Sequence, residues 1–126
     1  MKLKFGNRRV TGERTASQQQ VMAAILFADI CGSTRLFEKF GDWRARQIET
    51  RVLDVLISGT VAHDGAVIKT IGDEIMSRFP SAQQAVNAAC EMHRALKEDQ
   101  ELAALNIAVK IGLHYGPVLV EKGDLF

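Results

Sequence analysis

Several features that would direct a reading early are scarce in this sequence. Only two cysteines, Cys31 and Cys90, occur in 126 residues. They have no short spacing, which argues against a disulfide scaffold and suits a reducing compartment. Sixteen Lys and Arg against 15 Asp and Glu leave a formal charge of +1. That gives no large field for holding nucleic acid or an anionic membrane, so neither partner is expected. The longest apolar run, Val21 to Ala28, is far too short to span a bilayer. The basic N-terminus lacks the apolar stretch of a signal peptide, and a cytoplasmic location is the expectation. His63, His93 and His114 have no metal-ligand spacing. Internal repeats and long low-complexity tracts are absent.

What remains is the composition of an ordinary globular domain, 47% hydrophobic and 25% charged. A chain of this length can bury a real core without staples. Residues 1–20 are polar and basic and read as an arm or linker, with a short strand at Leu3 to Phe5. Residues 21–126 read as one domain. Val21 to Ala28 is continuous and apolar, as in a central strand buried on both faces. It stops at Asp29, and Gly32-Ser33-Thr34 offers a turn and a helix cap. Leu36, Phe37 and Phe40 fit a short helix ending near Gly41. Ala45, Ile48, Val52, Val55 and Leu56 recur at helical spacing in a second helix, with Trp43 as a packing residue near its start.

Two strand-like runs follow, Ala66 to Ile71 and Glu74 to Phe79, and Gly72-Asp73 between them suits a type II′ hairpin turn. Ser81 and Gln84 make a capping box for a helix lined by Ala82, Ala85, Ala89, Met92 and Leu96. Lys97 to Glu101 reads as a charged loop. Ile107, Val109, Ile111 and Leu113 alternate as a strand, with His114 at its end. Gly116-Pro117 reads as a turn into another strand from Val118. The predicted fold class is α+β, a ferredoxin-like βαββαβ antiparallel sheet with helices on one face.

That order brings two carboxylates to one end of the sheet: Asp29 ends the central strand, and Asp73 sits at the tip of the neighbouring hairpin. Two hard oxygen donors there suit Mg²⁺, with phosphate oxygens completing the shell. Either residue alone reads as a turn former; the joint placement points to metal. Ile30-Cys31-Gly32-Ser33-Thr34 starts a helix, where free N–H groups favour an anion such as a triphosphate. Glu74 is expected to point away from Asp73 as a surface residue.

Phe27-Ala28-Asp29-Ile30-Cys31-Gly32-Ser33-Thr34, Ile68-Lys69-Thr70-Ile71-Gly72-Asp73-Glu74 and Gly112-Leu113-His114-Tyr115-Gly116-Pro117-Val118 resemble three signature blocks of the class III adenylyl and guanylyl cyclases, in similar order and spacing. The resemblance implies that Asp29, Asp73 and the Ile30 carbonyl hold two Mg²⁺ or Mn²⁺ ions, that Cys31 to Thr34 cradle the triphosphate of ATP, and that cyclic AMP and pyrophosphate are the products. Lys69 matches the position at which adenylyl cyclases carry the lysine that reads adenine. Asp124 matches the second adenine reader. An ammonium donates to a ring nitrogen and a carboxylate accepts from the exocyclic amine, a pairing that opposes guanine. The family's site lies between two chains, which implies a homodimer with Lys69 and Asp124 supplied by the partner of Asp29 and Asp73.

The family pattern continues with a Val-Asn-x-Ala-x-Arg helix, whereas Phe126 is the last residue of this sequence. Little or no turnover is therefore expected of the 126 residues alone. Three alternatives stand beside this reading. A diguanylate cyclase shares the fold, but its hairpin motif is only partly matched by Ile71-Gly72-Asp73-Glu74-Ile75. An RNA-binding module shares the element order, but the strands carry only Phe27 and Phe79 and no aromatic-rich block. The third is a non-catalytic cyclase-like domain used for dimerisation or sensing.

Overall fold

The computed structural model describes residues 18–121 and 124–125. The expected strand at Leu3 to Phe5 and most of the expected arm lie outside them. The elements run β1 (Gln18–Ile30), α1 (Ser33–Ala62), β2 (Ala66–Ile71), β3 (Glu74–Phe79), α2 (Ala82–Glu98), α3 (Gln100–Ala104), β4 (Val109–Glu121) and β5 (Asp124–Leu125). They form one sheet in the order β2-β3-β1-β4-β5, antiparallel at every pairing. This is the expected α+β architecture, with β1 at its centre.

Alternation along β1 separates the two faces of the sheet. Ala24, Leu26, Ala28 and Ile30 join the main core with Ile48, Val52 and Leu56 of α1 and Ala85, Ala88, Met92 and Leu96 of α2. Many of these positions are alanine, so the helices can lie close on the strands. Ala23 and Ile25 point the other way and meet Met76 and Val118 in a smaller cluster. Asp29 shares that second face, because it continues the odd-numbered series (Ala23, Ile25, Phe27). Thr60 of α1 and Ser77 of β3, the two buried polar residues among those described, satisfy each other at 2.9 Å.

Gly41 interrupts α1 with φ 78° and ψ 168°, a conformation open in practice only to glycine. The expected break between two helices is therefore present as a kink. Trp43, just beyond it, is 76% exposed, so it faces solvent instead of packing. The Gly72-Asp73 turn has φ 59° at Gly72, and Asp73 stays at negative φ, as the type II′ geometry needs.

Ser81 caps α2, its hydroxyl accepting from the Gln84 N–H at 3.2 Å. The Gln84 side chain bonds the Ser81 hydroxyl and Asp64, not the Ser81 backbone N–H of a reciprocal box. Ser81→Ala is expected to lower stability by about 1 kcal/mol in urea denaturation, the usual value of such a cap.

Two expected boundaries differ. Lys97 to Glu101 is not a loop: α2 runs to Glu98, and Asp99 caps α3 by accepting from the Leu102 N–H. That bond, and then Arg51, hold the Asp99 carboxyl below its usual range. A polar run hid a helix that is anchored by one buried side chain, Leu102. Gly116-Pro117 is not a turn either. β4 passes straight through, pairing Pro117 with Met22 and Gly116 with Ala23. Proline is tolerated there because β5 pairs only with Val120 and Glu121, leaving Pro117 on an open edge. His114 consequently lies in mid-strand, and its buried Nε2 has no hydrogen-bond partner among the described residues.

Candidate active site

Pairing fixes the side chains that share the second face of the sheet. At the end where β1 finishes, Asp29 stands between Glu74 of β3 and Lys110 of β4, and Ile71 of β2 lies beyond Glu74. One row further in, Phe27 lies between Met76 and Gly112, with Lys69 beyond Met76. An irregularity between Val67 and Lys69 lets Ile68 join the second-face cluster and sets Lys69 opposite Met76.

The hairpin turn carries Asp73 back to the end of β1, where its carboxyl comes close enough to that of Asp29 to act on its ionisation. The Asp29 pKa is accordingly raised, first by desolvation and then by the charge and hydrogen bond of Asp73; the Ile30 N–H and Lys110 pull the other way. Glu49, on α1, is raised too, by desolvation and then by the charge of Asp73. This corner of the fold therefore holds more negative charge than its surroundings neutralise.

That imbalance fits a divalent cation, which would offset the paired negative charge and bind hard oxygen donors. Asp29 and Asp73 are the pair that could hold it. Among the described residues no group of three or more His, Cys, Asp or Glu converges as a complete cage. Further oxygens, from phosphate or water, would have to close the shell.

Cys31 and Gly32 follow Asp29 as an exposed loop, and Cys31 N–H donates to the Ala108 carbonyl at 2.9 Å. Gly32 caps α1 in a left-handed conformation with no side-chain cap bond. The cap expected within Gly32-Ser33-Thr34 is thus Gly32 itself, which leaves helix N–H groups available to an anion. Lys69 and Asp124 are not brought together. They lie in β2 and β5, the opposite edges of the sheet, with three strands between them.

Residues 15–122 match the profile of the Adenylate and Guanylate cyclase catalytic domain. The chain belongs to this family. A protein of Rhizobium meliloti strain 1021, provisionally named adenylate cyclase 3, is 33% identical over 112 residues, covering 83% of this chain and 18% of that protein. The Streptomyces griseus adenylate cyclase is 29% identical over 106 residues, 81% of this chain and 25% of its own length. A bacterial light-regulated adenylyl cyclase superposes with a TM-score of 0.75 at 27% identity, over 85% of this chain and 34% of that one. The adenylate/guanylate cyclase/hydrolase from Silicibacter pomeroyi gives 0.72 at 28% identity, over 86% and 64%. The chain thus spans about a fifth to a quarter of the first two relatives' length.

Within this cyclase domain, sequence reading missed two charged groups beside the carboxylate pair, Lys110 and Glu49. Glu74, expected to point away from Asp73 at the surface, stands in register across from Asp29, and it forms no three-carboxylate group with Asp29 and Asp73 among the described residues. Lys110 and Glu49 carried no local signal, since only strand register and the packing of α1 bring them close. No helix among the described residues is long and apolar enough to cross a membrane.

Proposed function

We propose that this cyclase domain converts ATP into cyclic AMP and pyrophosphate, at a site completed by a second copy of the chain. The observation that carries the reading is the Asp29–Asp73 carboxyl contact at the end of the central strand, beside a glycine-capped helix start and opposite a lysine. Asp29 and Asp73, with the Ile30 carbonyl, would hold two Mg²⁺ or Mn²⁺ ions. Bound there, the metal supplies charge neutralisation for the phosphates and acidifies a coordinated hydroxyl.

The chain's own groups bind and orient. The Cys31 N–H is held by the Ala108 carbonyl, so the backbone N–H groups of Gly32 to Thr34 donate to phosphate oxygens, and the Lys110 ammonium, opposite Asp29, balances charge that develops on the leaving pyrophosphate. The ribose 3′-hydroxyl gives up its proton to solvent and attacks the α-phosphorus in line; the bond from that phosphorus to the oxygen bridging to the β-phosphate breaks, and pyrophosphate leaves with its electron pair. Because the reaction is intramolecular, positioning supplies much of the rate. Lys69 donates to a purine ring nitrogen and so favours adenine. Asp124 can accept from the amino group of the same base only if a second copy brings the two edge strands together.

Calorimetric titration of the purified chain with MgATP and MgGTP, with cyclic nucleotide quantified in the same samples, tests the reading. Metal-dependent binding that favours ATP supports it. Preference for GTP, or binding indifferent to the metal, overturns it. Lys69→Glu is expected to erase or reverse the ATP preference by roughly tenfold to a hundredfold, the value of one charge-assisted hydrogen bond. The ratio of the two nucleotide affinities measures this.

A further inference from the structure

On the other flank of the Cys31-Gly32 loop, away from Asp73, a cavity of about 620 Å³ opens between the start of α1 and the segment leading into β4. β3 and β4 lie on opposite sides of β1, so the loop is a wall with the carboxylate pair on one side and this cavity on the other. The size falls within the usual range for small-molecule sites. Its floor is apolar, made by Leu36 and Phe40 of α1 with Leu105 and Ile107. Its mouth carries two cations one helical turn apart, Arg35 and Lys39. The Lys39 ammonium sits 5.3 Å from the Phe40 ring centroid, over its face. Neither cation pairs with a carboxylate among the described residues.

An apolar floor under two uncompensated cations selects a ligand of matching polarity. We propose that this cavity binds a small amphipathic anion, a carboxylate carried on an aliphatic or aromatic body. The carboxylate meets Arg35 and Lys39, and the body covers Leu36, Phe40, Leu105 and Ile107. Such a ligand grips the Cys31-Gly32 loop from behind, through a wall already fastened to Ala108. Its occupancy therefore alters nucleotide affinity on the far side, a consequence that rests on the loop being the phosphate wall.

Octanoate titrated into the ¹⁵N-labelled full chain provides the test, with amide shifts as the readout and octylammonium and 1-octanol as charge controls. Saturable shifts at Leu36, Phe40 and Ile107 with octanoate, at least roughly tenfold weaker with either control, are expected for a charge-selected site. Arg35→Glu combined with Lys39→Glu changes two exposed side chains, and its thermal melt verifies folding. It should weaken octanoate by roughly tenfold or more and favour octylammonium. Equal binding of 1-octanol, an unchanged octanoate affinity in the folded double variant, or shifts confined to other surfaces overturns the proposal. If octanoate binds as expected but MgATP affinity is the same with and without it, the regulatory part is rejected. Octanoate binding in a chain that never binds MgATP would overturn the cyclase reading while leaving the cavity's ligand class in place.

Discussion

Asp73→Asn is expected to abolish metal-dependent nucleotide binding, a loss of roughly 100-fold or more in affinity, while making the metal-free chain slightly more stable. Both effects come from the same pair. Removing one of two carboxylate ligands costs at least what loss of an outer-sphere partner does, about 10–100-fold. Without metal, the two carboxyls repel or must share a proton, and an amide removes that conflict. A mutation that merely damaged the fold would lower stability in both conditions. Isothermal titration with MgATP and a melting curve without metal separate the two outcomes.

The pH dependence follows with a definite sign. The folded-state pKa of Asp29 is raised above its ordinary value, first by desolvation and then by Asp73. Folding therefore favours the protonated carboxyl, and ionising it costs stability at pH above the raised folded value. The metal-free chain loses that penalty as pH falls from above the raised value toward the ordinary one. Metal binding requires the ionised form, so affinity weakens over the same interval and each binding event releases a proton. In Asp73→Asn this contribution shrinks, because only desolvation still lifts Asp29. Metal titrations in two buffers of different ionisation enthalpy would reveal the proton release.

The second large effect is structural. Phe79→Ala is expected to lower stability by about 3–5 kcal/mol, the usual range for truncating a buried aromatic. That is a large share of the roughly 5–15 kcal/mol available to a domain. Phe79 is fully buried, closes β3 opposite Ala24, and belongs to the main core. Its ring fills the space beside Gly65 so closely that an added Cβ there would lie 2.4 Å from the ring edge. Neither neighbour can collapse far into the vacancy, because Gly65 has no side chain and Ala24 only a methyl. Urea denaturation measures the loss, and Phe79→Leu should recover part of it.

How much of this was legible beforehand depends on whether the signal was local. The apolar run into Asp29, the Gly72-Asp73 turn and the Ser81 cap each act within a few residues, and all three appear where periodicity and turn chemistry put them. The meeting of Asp29 and Asp73 followed from strand order alone. Glu74, Lys110 and Glu49 depend on register between strands or on where a helix comes to rest. A one-residue slip would have turned Glu74 or Lys110 to the other face. Gly116-Pro117 misled because turn propensity is judged without knowing whether the strand lies at an edge. Helix α3 was hidden because one leucine, not a stripe, holds it.

The kink at Gly41 separates two kinds of sequence constraint. Residues before it end at the loop beside the carboxylates, and Ala45, Ile48 and Val52 after it are locked into the core. Since the peptide path at Gly41 is not helical, the angular phase of one segment does not dictate that of the other. The segment carrying Arg35 and Lys39 can thus be exchanged for one with different charges while the core-facing stripe keeps its orientation. Such exchange needs only that position 41 keep glycine, because any other residue would be strained in the backbone conformation that uncouples the two segments.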